Sequence, residues 1–376
     1  MRKALIKFTL LLLVWTHCAV FAAGVINIEE IDIDSAVLGE ERRILVYLPA
    51  EYENKKQHFP VLYITDGDIQ GMHTKGTLDF MSKLDQSPDM IVVGIVSPRH
   101  IRNQDLTLVA ESPEQKGTFE GADRFLMFIE EEVIPVVKTN YRTLDYQALS
   151  GTSHGGQFAI NAMIKRPCLF DGIIAISPSL YWNEKQLLKL SEKALKERQL
   201  KGRLFLSIAD EEPIMTEPFE QLVNLFAHHS NEQLMVKVKK FEEENHDSTT
   251  LPGQYHGLKY LFNEWPLPKT PMTLNDLQAH YATRSALLGV DLVIPEDRAN
   301  GYGQWLIYLN REEDALKLLE WNRSTYPQSL DTHVALIKAY LHFNHAEQAK
   351  SSLGKALKTV KEIDEAQRQL LQGLVL

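Results

Sequence analysis

The chain has 376 residues, of which 44% are hydrophobic and 24% charged, and its formal net charge at neutral pH is −10. A chain of this length exceeds one modest domain. An acidic protein with no basic patch is not expected to bind nucleic acid and is expected to be soluble.

The first 22 residues have the pattern of a cleavable secretory signal peptide. Basic residues come first, then an apolar run at 8–15, then small residues that place the predicted cleavage site after Ala22. The apolar run is too short to span a bilayer, which argues against the alternative of a membrane anchor. A lipoprotein is a further alternative because of Cys18, although the residue before it is not small. Cleavage would give a periplasmic or secreted protein with a net charge of −13 and Cys168 as its only cysteine, which excludes an intrachain disulfide.

Strand and helix patterns alternate through residues 23–265, the first predicted domain. Apolar or alternating runs predict strands at 25–34, 42–48, 60–65, 90–96, 145–150, 172–177, 203–208 and 234–240. Helices are predicted at 121–138, 155–165, 184–197, 216–229 and 252–264. This alternation favours an α/β fold with a mostly parallel sheet and helices on both faces. The first strands are too close together for helical crossovers, so that edge is expected to be antiparallel.

A proline-rich linker at 266–271 separates this domain from a region, 272–376, in which all patterns are helical. Four residues of this region recur at an offset of 34 residues, the tetratricopeptide period: Asn310, Glu313, Ala315 and Leu319 recur as Asn344, Glu347, Ala349 and Leu353. Two repeats are too few for a free-standing solenoid, so the region is expected to lean on the first domain, or to contact another subunit or a protein partner. The alternative is an irregular helical tail.

Residues 150–156, Ser-Gly-Thr-Ser-His-Gly-Gly, carry the strongest chemical signal in the chain. They match G-x-S-x-G, the turn that presents a nucleophilic serine between a strand and a helix, and the predicted strand and helix flank it correctly. The predicted nucleophile is therefore Ser153, and the backbone N–H of His154 is a predicted donor to the oxyanion of the reaction intermediate.

A serine nucleophile needs a histidine base and an orienting carboxylate, which follow the serine in the order acid, then histidine, each after a strand. His246 follows the strand at 234–240 by a short loop, where the base is expected. The strand at 203–208 is followed by three consecutive acids, Asp210, Glu211 and Glu212, and spacing alone leaves all three open.

Residues 30–265 resemble the esterase D family, which includes enterochelin esterases and S-formylglutathione hydrolases. The motifs that carry this resemblance are Val61–Asp68, Arg102–Thr107, Gly121–Leu126 with Ile134-Pro135 and Tyr141–Thr143, the serine elbow, Ile176–Trp182 and Glu244–Ser248. The resemblance implies an α/β-hydrolase fold. It also favours Glu212 as the acid, because the family often places its acid three residues after a glycine whose position Ala209 occupies here.

The same resemblance implies a second oxyanion donor and a substrate pocket. The turn after the strand at 60–65 matches the family's oxyanion loop and points to the N–H of Asp68, with Ile69 as the alternative. Arg102, Tyr181 and Trp182 are implied near the mouth of the site, where they would suit an anionic or aryl ester. The alternatives are that Trp182 packs in the core and that Arg102 forms a salt bridge to Asp105.

The sequence thus predicts an exported serine esterase that hydrolyses carboxylic esters through an acyl-enzyme on Ser153, with no metal or organic cofactor. Siderophore lactones, aryl esters and short-chain esters all remain candidate substrates. One alternative is an acyltransferase that uses the same acyl-enzyme. The other is a non-catalytic interaction protein that works through residues 272–376.

Overall fold

A computed structural model describes residues 28–109, 121–197, 200–229 and 232–374 of the chain. The predicted signal peptide and its cleavage site lie outside the described residues. Among the described residues, no helix combines the length and apolarity that a membrane crossing requires.

One eight-stranded sheet forms the centre of the first domain. Its strands are β1 (Ile28–Ser35), β2 (Glu40–Tyr47), β3 (Phe59–Thr65), β4 (Ile91–Ile95), β5 (Thr143–Thr152), β6 (Gly172–Ile176), β7 (Gly202–Ala209) and β8 (Leu234–Phe241). They lie in the order β1-β2-β4-β3-β5-β6-β7-β8. β1 pairs antiparallel with β2, and β2 antiparallel with β4, whereas every pair from β4 to β8 is parallel. All eight predicted strands and the predicted antiparallel edge are confirmed.

Burial of the strands follows their position in the sheet. Every residue of β3, β4 and β6 is buried, as expected for parallel strands that are covered on both faces. β1 at one edge and β8 at the other alternate between more and less exposed residues. The carboxyl ends of β3, β5, β6, β7 and β8 therefore meet along one rim of the sheet, where loops can place side chains side by side.

Within the described residues of this domain, eight α-helices surround the sheet. They are α1 (Gly67–Lys83), α2 (Arg102–Leu106), α3 (Ala122–Phe128), α4 (Ile134–Asn140), α5 (His154–Lys165), α6 (Trp182–Lys196), α7 (Pro213–His228) and α8 (Thr250–Leu261). The predicted single helix at 121–138 is interrupted by a π-helical turn at Ile129–Val133, directly before Pro135 at the start of α4. Proline cannot donate a backbone hydrogen bond, which explains why the regular helix changes register there.

α1 and α2 were not predicted from the sequence. α1 contains Gly67, Gly71 and Gly76, and it lacks a clear apolar period. Its approach to the sheet requires small residues, because a Cβ atom on Gly67 would lie 2.2 Å from the backbone of Gly94 in β4. Close backbone packing has replaced large apolar side chains here, so the pattern on which a helix prediction depends is missing.

In the C-terminal region the structure describes residues up to 374, and these form six helices: α9 (Leu274–Leu288), α10 (Glu296–Tyr308), α11 (Glu312–Thr325), α12 (Leu330–His342), α13 (Ala346–Thr359) and α14 (Glu365–Gly373). Asn310 and Asn344, 34 residues apart, have the same left-handed backbone conformation, with φ of 55° and 62°. Each follows the first helix of a pair, α10 with α11 and α12 with α13. The recurrence of this turn supports the repeat, and the tetratricopeptide assignment itself remains a prediction.

The helical region is docked on the first domain through α9. The guanidinium of Arg284 donates to the carbonyl of Trp265 and forms a 2.9 Å ion pair with Asp85. Leu288 joins the apolar cluster that α8 forms against the sheet. Asp85 follows the C-terminal end of α1 and precedes β4, so this contact lies toward the amino ends of the parallel strands.

Candidate active site

Ser153 lies at the sharp turn between β5 and α5, at the carboxyl end of its strand. Its backbone has φ of 61° and ψ of −119°, a conformation that L-residues rarely adopt. Glycines make the turn possible, because a Cβ atom on Gly151 would lie 2.2 Å from the backbone of Gly155. A Cβ atom on Gly155 would lie 2.2 Å from Oγ1 of Thr65 in β3. The elbow geometry predicted from the sequence is therefore present.

The loop after β8 brings His246 to this serine. Nε2 of His246 is 3.0 Å from Oγ of Ser153, and Nδ1 is 2.8 Å from a carboxylate oxygen of Glu211. The loops after β7 and β8 are joined by a 3.0 Å hydrogen bond from the N–H of Asp210 to the carbonyl of Glu244. The imidazole is 39% exposed, so water can reach the serine from the same side.

The acid that pairs with His246 is Glu211, which corrects the sequence prediction of Glu212. All three consecutive acids lie in the described part of the chain, and they differ in direction. Asp210 and Glu212 are exposed, and Glu212 is the N-cap residue that precedes α7. The Glu211 side chain points inward and is only 4% exposed. The spacing from Ala209, on which the prediction of Glu212 depended, is one residue too long in this chain.

Hydrogen bonds to Glu211 control its charge and that of His246. Burial raises the pKa of Glu211, but bonds donated by His246 and Ser177 outweigh this effect and hold the pKa below its usual value. The hydrogen bond that His246 donates to Glu211 raises the pKa of His246 above its usual value, against an opposing effect of burial. An ionised Glu211 thus accepts the Nδ1 proton, and Nε2 is left free to accept the proton of Ser153.

The loop after β6 places two further hydroxyls in the site. Oγ of Ser177 donates to Glu211, and Oγ of Ser179 lies 3.2 Å from Oγ of Ser153. Both serines belong to the Ile176–Trp182 motif, for which the family resemblance implied no role of either hydroxyl. Their roles depend on the loop bringing one hydroxyl to each end of the Ser153–His246–Glu211 chain, which no local pattern reveals.

The two predicted oxyanion donors lie in the first turns of the helices that follow the neighbouring parallel strands β3 and β5. The N–H of His154 belongs to the first turn of α5, and that of Asp68 to the first turn of α1, where backbone N–H groups lack intrahelical acceptors. The N–H of Ile69, the sequence alternative, donates to the carbonyl of Asp66 at 2.9 Å. The geometry therefore favours Asp68 over Ile69, and both assignments remain predictions.

Arg102 contacts both segments of the chain that carry the predicted oxyanion donors. Its guanidinium forms a fork with Asp66, at 2.6 and 2.8 Å, and one nitrogen is 3.5 Å from the carbonyl of Thr152, next to the nucleophile. The sequence alternative of a salt bridge to Asp105 is wrong, because Asp105 is paired with Arg42 at 2.7 Å. Arg102 is near the site, as the resemblance implied, but its charge is largely balanced by Asp66.

The two predicted aromatic residues lie beside the nucleophile. The ring of Trp182 contacts the ring of His154 edge-on, with centroids 4.8 Å apart, and is only partly buried. This contradicts the alternative that Trp182 packs in the core. Tyr181 lines a cleft of about 650 Å³ that contains Ser153, His246 and Glu211. Together with Trp182, it also lines an adjoining groove of about 590 Å³.

The cleft is lined by both acidic and apolar residues. Its lining includes the buried Ser179, the exposed acids Asp210 and Glu212, and three consecutive apolar residues, Pro213, Ile214 and Met215. Within the described residues, no group of three or more histidine, cysteine, aspartate or glutamate side chains could hold a metal ion. The arrangement supplies a hydroxyl, a base and an orienting carboxylate, which is the set that nucleophilic acyl transfer requires.

Solved structures share this fold. The IroE-like serine hydrolase from Shewanella oneidensis superposes with a TM-score of 0.66 and 26% identity, over 80% of this chain and 100% of that one. An uncharacterised protein from Capnocytophaga ochracea superposes with a TM-score of 0.71 over 93% of this chain and 98% of its own. At 19% identity this second likeness shows the fold alone. Its extent indicates that the helical region is part of the shared architecture.

Sequence relatives lead to the same class of protein. The siderophore triacetylfusarinine C esterase of Aspergillus fumigatus is 32% identical over 156 residues, which cover 39% of this chain and 53% of that esterase. The alignment thus spans only about half of the relative's length. The model of one protein family, described as "Putative esterase", matches residues 35–256, more than half of the chain. The protein therefore belongs to this esterase family, whose members are α/β ester hydrolases.

Proposed function

We propose that the protein is an exported serine esterase that hydrolyses carboxylic esters through an acyl-enzyme on Ser153. The observation that carries the proposal is the continuous chain of hydrogen bonds from Oγ of Ser153 through His246 to Glu211, at 3.0 and 2.8 Å. It lies at the floor of a cleft large enough for a small-molecule ester. The N-terminal signal pattern supports export.

The reaction follows from the positions of the protons. Oγ of Ser153 attacks the ester carbonyl while its proton passes to Nε2 of His246, and Glu211 stabilises the resulting imidazolium. The bond to the leaving alcohol then breaks, and that alcohol takes the proton from His246. Water then attacks the acyl carbon as its proton passes to His246, the bond from that carbon to Oγ of Ser153 breaks to release the carboxylic acid, and His246 returns the proton to Oγ. The N–H groups of His154 and Asp68 are the proposed donors to the oxyanion.

Two observations narrow the reaction and the substrate. The 39% exposure of His246 favours water over a bound alcohol as the acceptor, because a transferase must exclude water from its acyl-enzyme. The Aspergillus relative is named for its action on a siderophore ester. We therefore propose siderophore-type esters as the substrate class, with simple short-chain esters as poorer substrates.

Ser153→Ala tests the proposal directly. Loss of the nucleophile is expected to lower the turnover of p-nitrophenyl acetate by about six orders of magnitude, with thermal stability unchanged. Ser191→Ala is the matched control, because Ser191 is a buried serine of α6 whose hydroxyl donates to the carbonyl of Leu187. Hydroxamate and catecholate ester siderophores, assayed beside the acetate, test the substrate class. Wild-type turnover in purified Ser153→Ala would exclude Ser153 as the nucleophile.

A further inference from the structure

Ser179 makes a contact that the reaction described above does not use. Its Oγ lies 3.2 Å from Oγ of Ser153, and its backbone N–H donates to the carbonyl of Ser153 at 3.1 Å. Ser179 is buried, with 2% of its surface exposed, and it still lines the cleft. Ser153 and Ser179 are thus hydrogen-bonded to each other through both their backbones and their side chains.

The direction of the hydroxyl–hydroxyl bond follows from counting protons. A serine hydroxyl has one proton to donate and two lone pairs that accept. Nδ1 of His246 must donate to the Glu211 carboxylate, which only accepts, so Nε2 is the acceptor for the single proton of Ser153. The remaining bond between the two hydroxyls therefore has Ser179 as its donor and Oγ of Ser153 as its acceptor.

We infer that Ser179 is a further catalytic residue, which donates a hydrogen bond to Oγ of Ser153 while that oxygen carries developing negative charge. The inference rests on the proposed function of Ser153 as the nucleophile. A hydrogen bond to a charged oxygen is stronger than one to a neutral hydroxyl. The bond therefore contributes more in the transition state than in the resting enzyme, and only such a difference accelerates the reaction.

The same bond serves both halves of the reaction. During acylation, Ser153 loses its proton to His246 as Oγ forms a bond to the carbonyl carbon. During deacylation, the bond between Oγ and that carbon breaks, and Oγ carries negative charge until His246 returns the proton. Ser179 keeps its own proton in both steps, so no atom or charge is left unbalanced.

The loop after β6 holds Ser179 in place for this role. Ser177 has a left-handed backbone with φ of 41°, and its N–H donates to the carbonyl of Ser207 at the neighbouring strand. Its hydroxyl donates to Glu211. One loop of three residues therefore fixes the carboxylate at one end of the hydrogen-bonded chain and the serine oxygen at the other.

The experiment compares Ser179→Ala with the matched buried-serine control Ser191→Ala and with the wild type. Each protein is treated with a fluorophosphonate, whose phosphorus is attacked by Oγ of Ser153 with loss of fluoride, and the labelling rate is followed by mass spectrometry. Steady-state hydrolysis of p-nitrophenyl acetate is measured across pH. Thermal unfolding verifies that each variant is folded, which is expected because alanine is smaller than serine.

Ser179→Ala is expected to label, and to turn over the acetate, about ten- to a hundredfold more slowly than the wild type, as for loss of one hydrogen bond to a charged group. KM and the pH of the acid limb should be unchanged, because His246 and Glu211 keep their bond. Labelling at the wild-type rate would refute the role of Ser179. A slow variant with a shifted acid limb would also refute it, since the relay itself would then be disturbed. A wild type that is neither labelled nor active would overturn the proposed function, and this inference with it.

Discussion

Glu211 combines burial with three hydrogen-bond donors, His246, Ser177 and the N–H of Ala209, and this combination distinguishes it from its neighbours in the run of three acids. Its side chain is 4% exposed, whereas Asp210 and Glu212 are exposed residues. A buried carboxylate that accepts bonds from His246 and Ser177 stays ionised and can stabilise a positive imidazole. An exposed carboxylate one residue away is screened by solvent and contributes little.

Glu211→Gln and Glu212→Gln form a matched pair that tests this assignment. Glu211→Gln is expected to lower kcat by about four orders of magnitude, because an amide neither fixes the imidazole tautomer nor stabilises the imidazolium. Glu212→Gln is expected to keep kcat within about twofold of the wild type, since exposed substitutions have small effects. Steady-state kinetics on one activated ester would decide the matter. A larger loss of kcat in Glu212→Gln than in Glu211→Gln would show that Glu212, the acid favoured by the family spacing, orients His246.

The pH dependence of turnover reports the same pair of residues. His246 must be neutral to accept the serine proton. The hydrogen bond that it donates to Glu211 raises the pKa of His246 above the usual 6.5. Activity is therefore expected to be low below that raised pKa and to increase as pH rises through it. In Glu211→Gln the acid limb of the residual activity should move to lower pH, because the neutral amide no longer favours the protonated imidazole. Identical limbs in the two proteins would show that another group controls the profile.

Stability should respond to pH in the opposite sense at this histidine. A histidine whose pKa is raised in the folded state contributes stability that is complete below its unfolded pKa and is lost as pH rises through its folded pKa. Acid conditions that stabilise the charged His246–Glu211 pair therefore remove the neutral base that catalysis needs. The pH optimum of turnover is therefore expected to lie above the pH range in which the His246–Glu211 pair stabilises the fold.

At the scale of elements, the strands were predictable from the sequence because each is a short apolar or alternating run. The runs that became β3 and β6 are buried on both faces, as expected for short apolar strands in a parallel sheet. α1 was missed because its contact with the sheet depends on glycines, and Gly71 is so close to Tyr47 that any side chain would collide with the ring. A periodic pattern of apolar residues predicts only those helices that pack through large side chains.

The candidate site, too, was only partly predictable from the sequence. Ser153 and His246 follow from a motif and from the order of strands, since both depend on chain position alone. The acid depends on which of three adjacent side chains turns inward after β7, and a one-residue change in the turn decides this. The Asp66–Arg102 fork and the two serines of the β6 loop join segments far apart in the chain, so the sequence offers no spacing from which to infer them.

At the scale of the whole molecule, the helical region and the candidate site lie at opposite ends of the sheet. The site uses the carboxyl ends of the strands. The contact made by Arg284 involves Asp85, which precedes β4, and Trp265, which follows α8. α8 ends where the backbone carbonyl of Leu261 accepts from Arg203, near the start of β7. The helical region therefore contacts the hydrolase domain away from the cleft, and we expect it to brace that domain.

Arg284→Ala tests this bracing role, with Arg43→Ala as its matched control. The Arg284 guanidinium is 3% exposed, lies over the Trp265 ring at 4.5 Å and bonds both the Trp265 carbonyl and Asp85. Its removal leaves a half-buried carboxylate without its cation and should lower the free energy of unfolding by roughly 3 kcal/mol. Arg43 forms ion pairs with Asp32 and Glu30 but is 48% exposed, so solvent screens these pairs and its loss should lower the stability far less than the loss of Arg284.

Both arginine variants should hydrolyse p-nitrophenyl acetate at the wild-type rate at temperatures where they are folded, because the hydrogen bonds among Ser153, His246 and Glu211 are untouched. Denaturant unfolding gives the stabilities, and kinetics at a temperature below the unfolding transition gives the rates. Equal stability losses in the two variants would mean that the α9 contact is no stronger than a surface ion pair. A folded Arg284→Ala protein with lost activity would show instead that the helical region acts on the active site from the opposite end of the sheet.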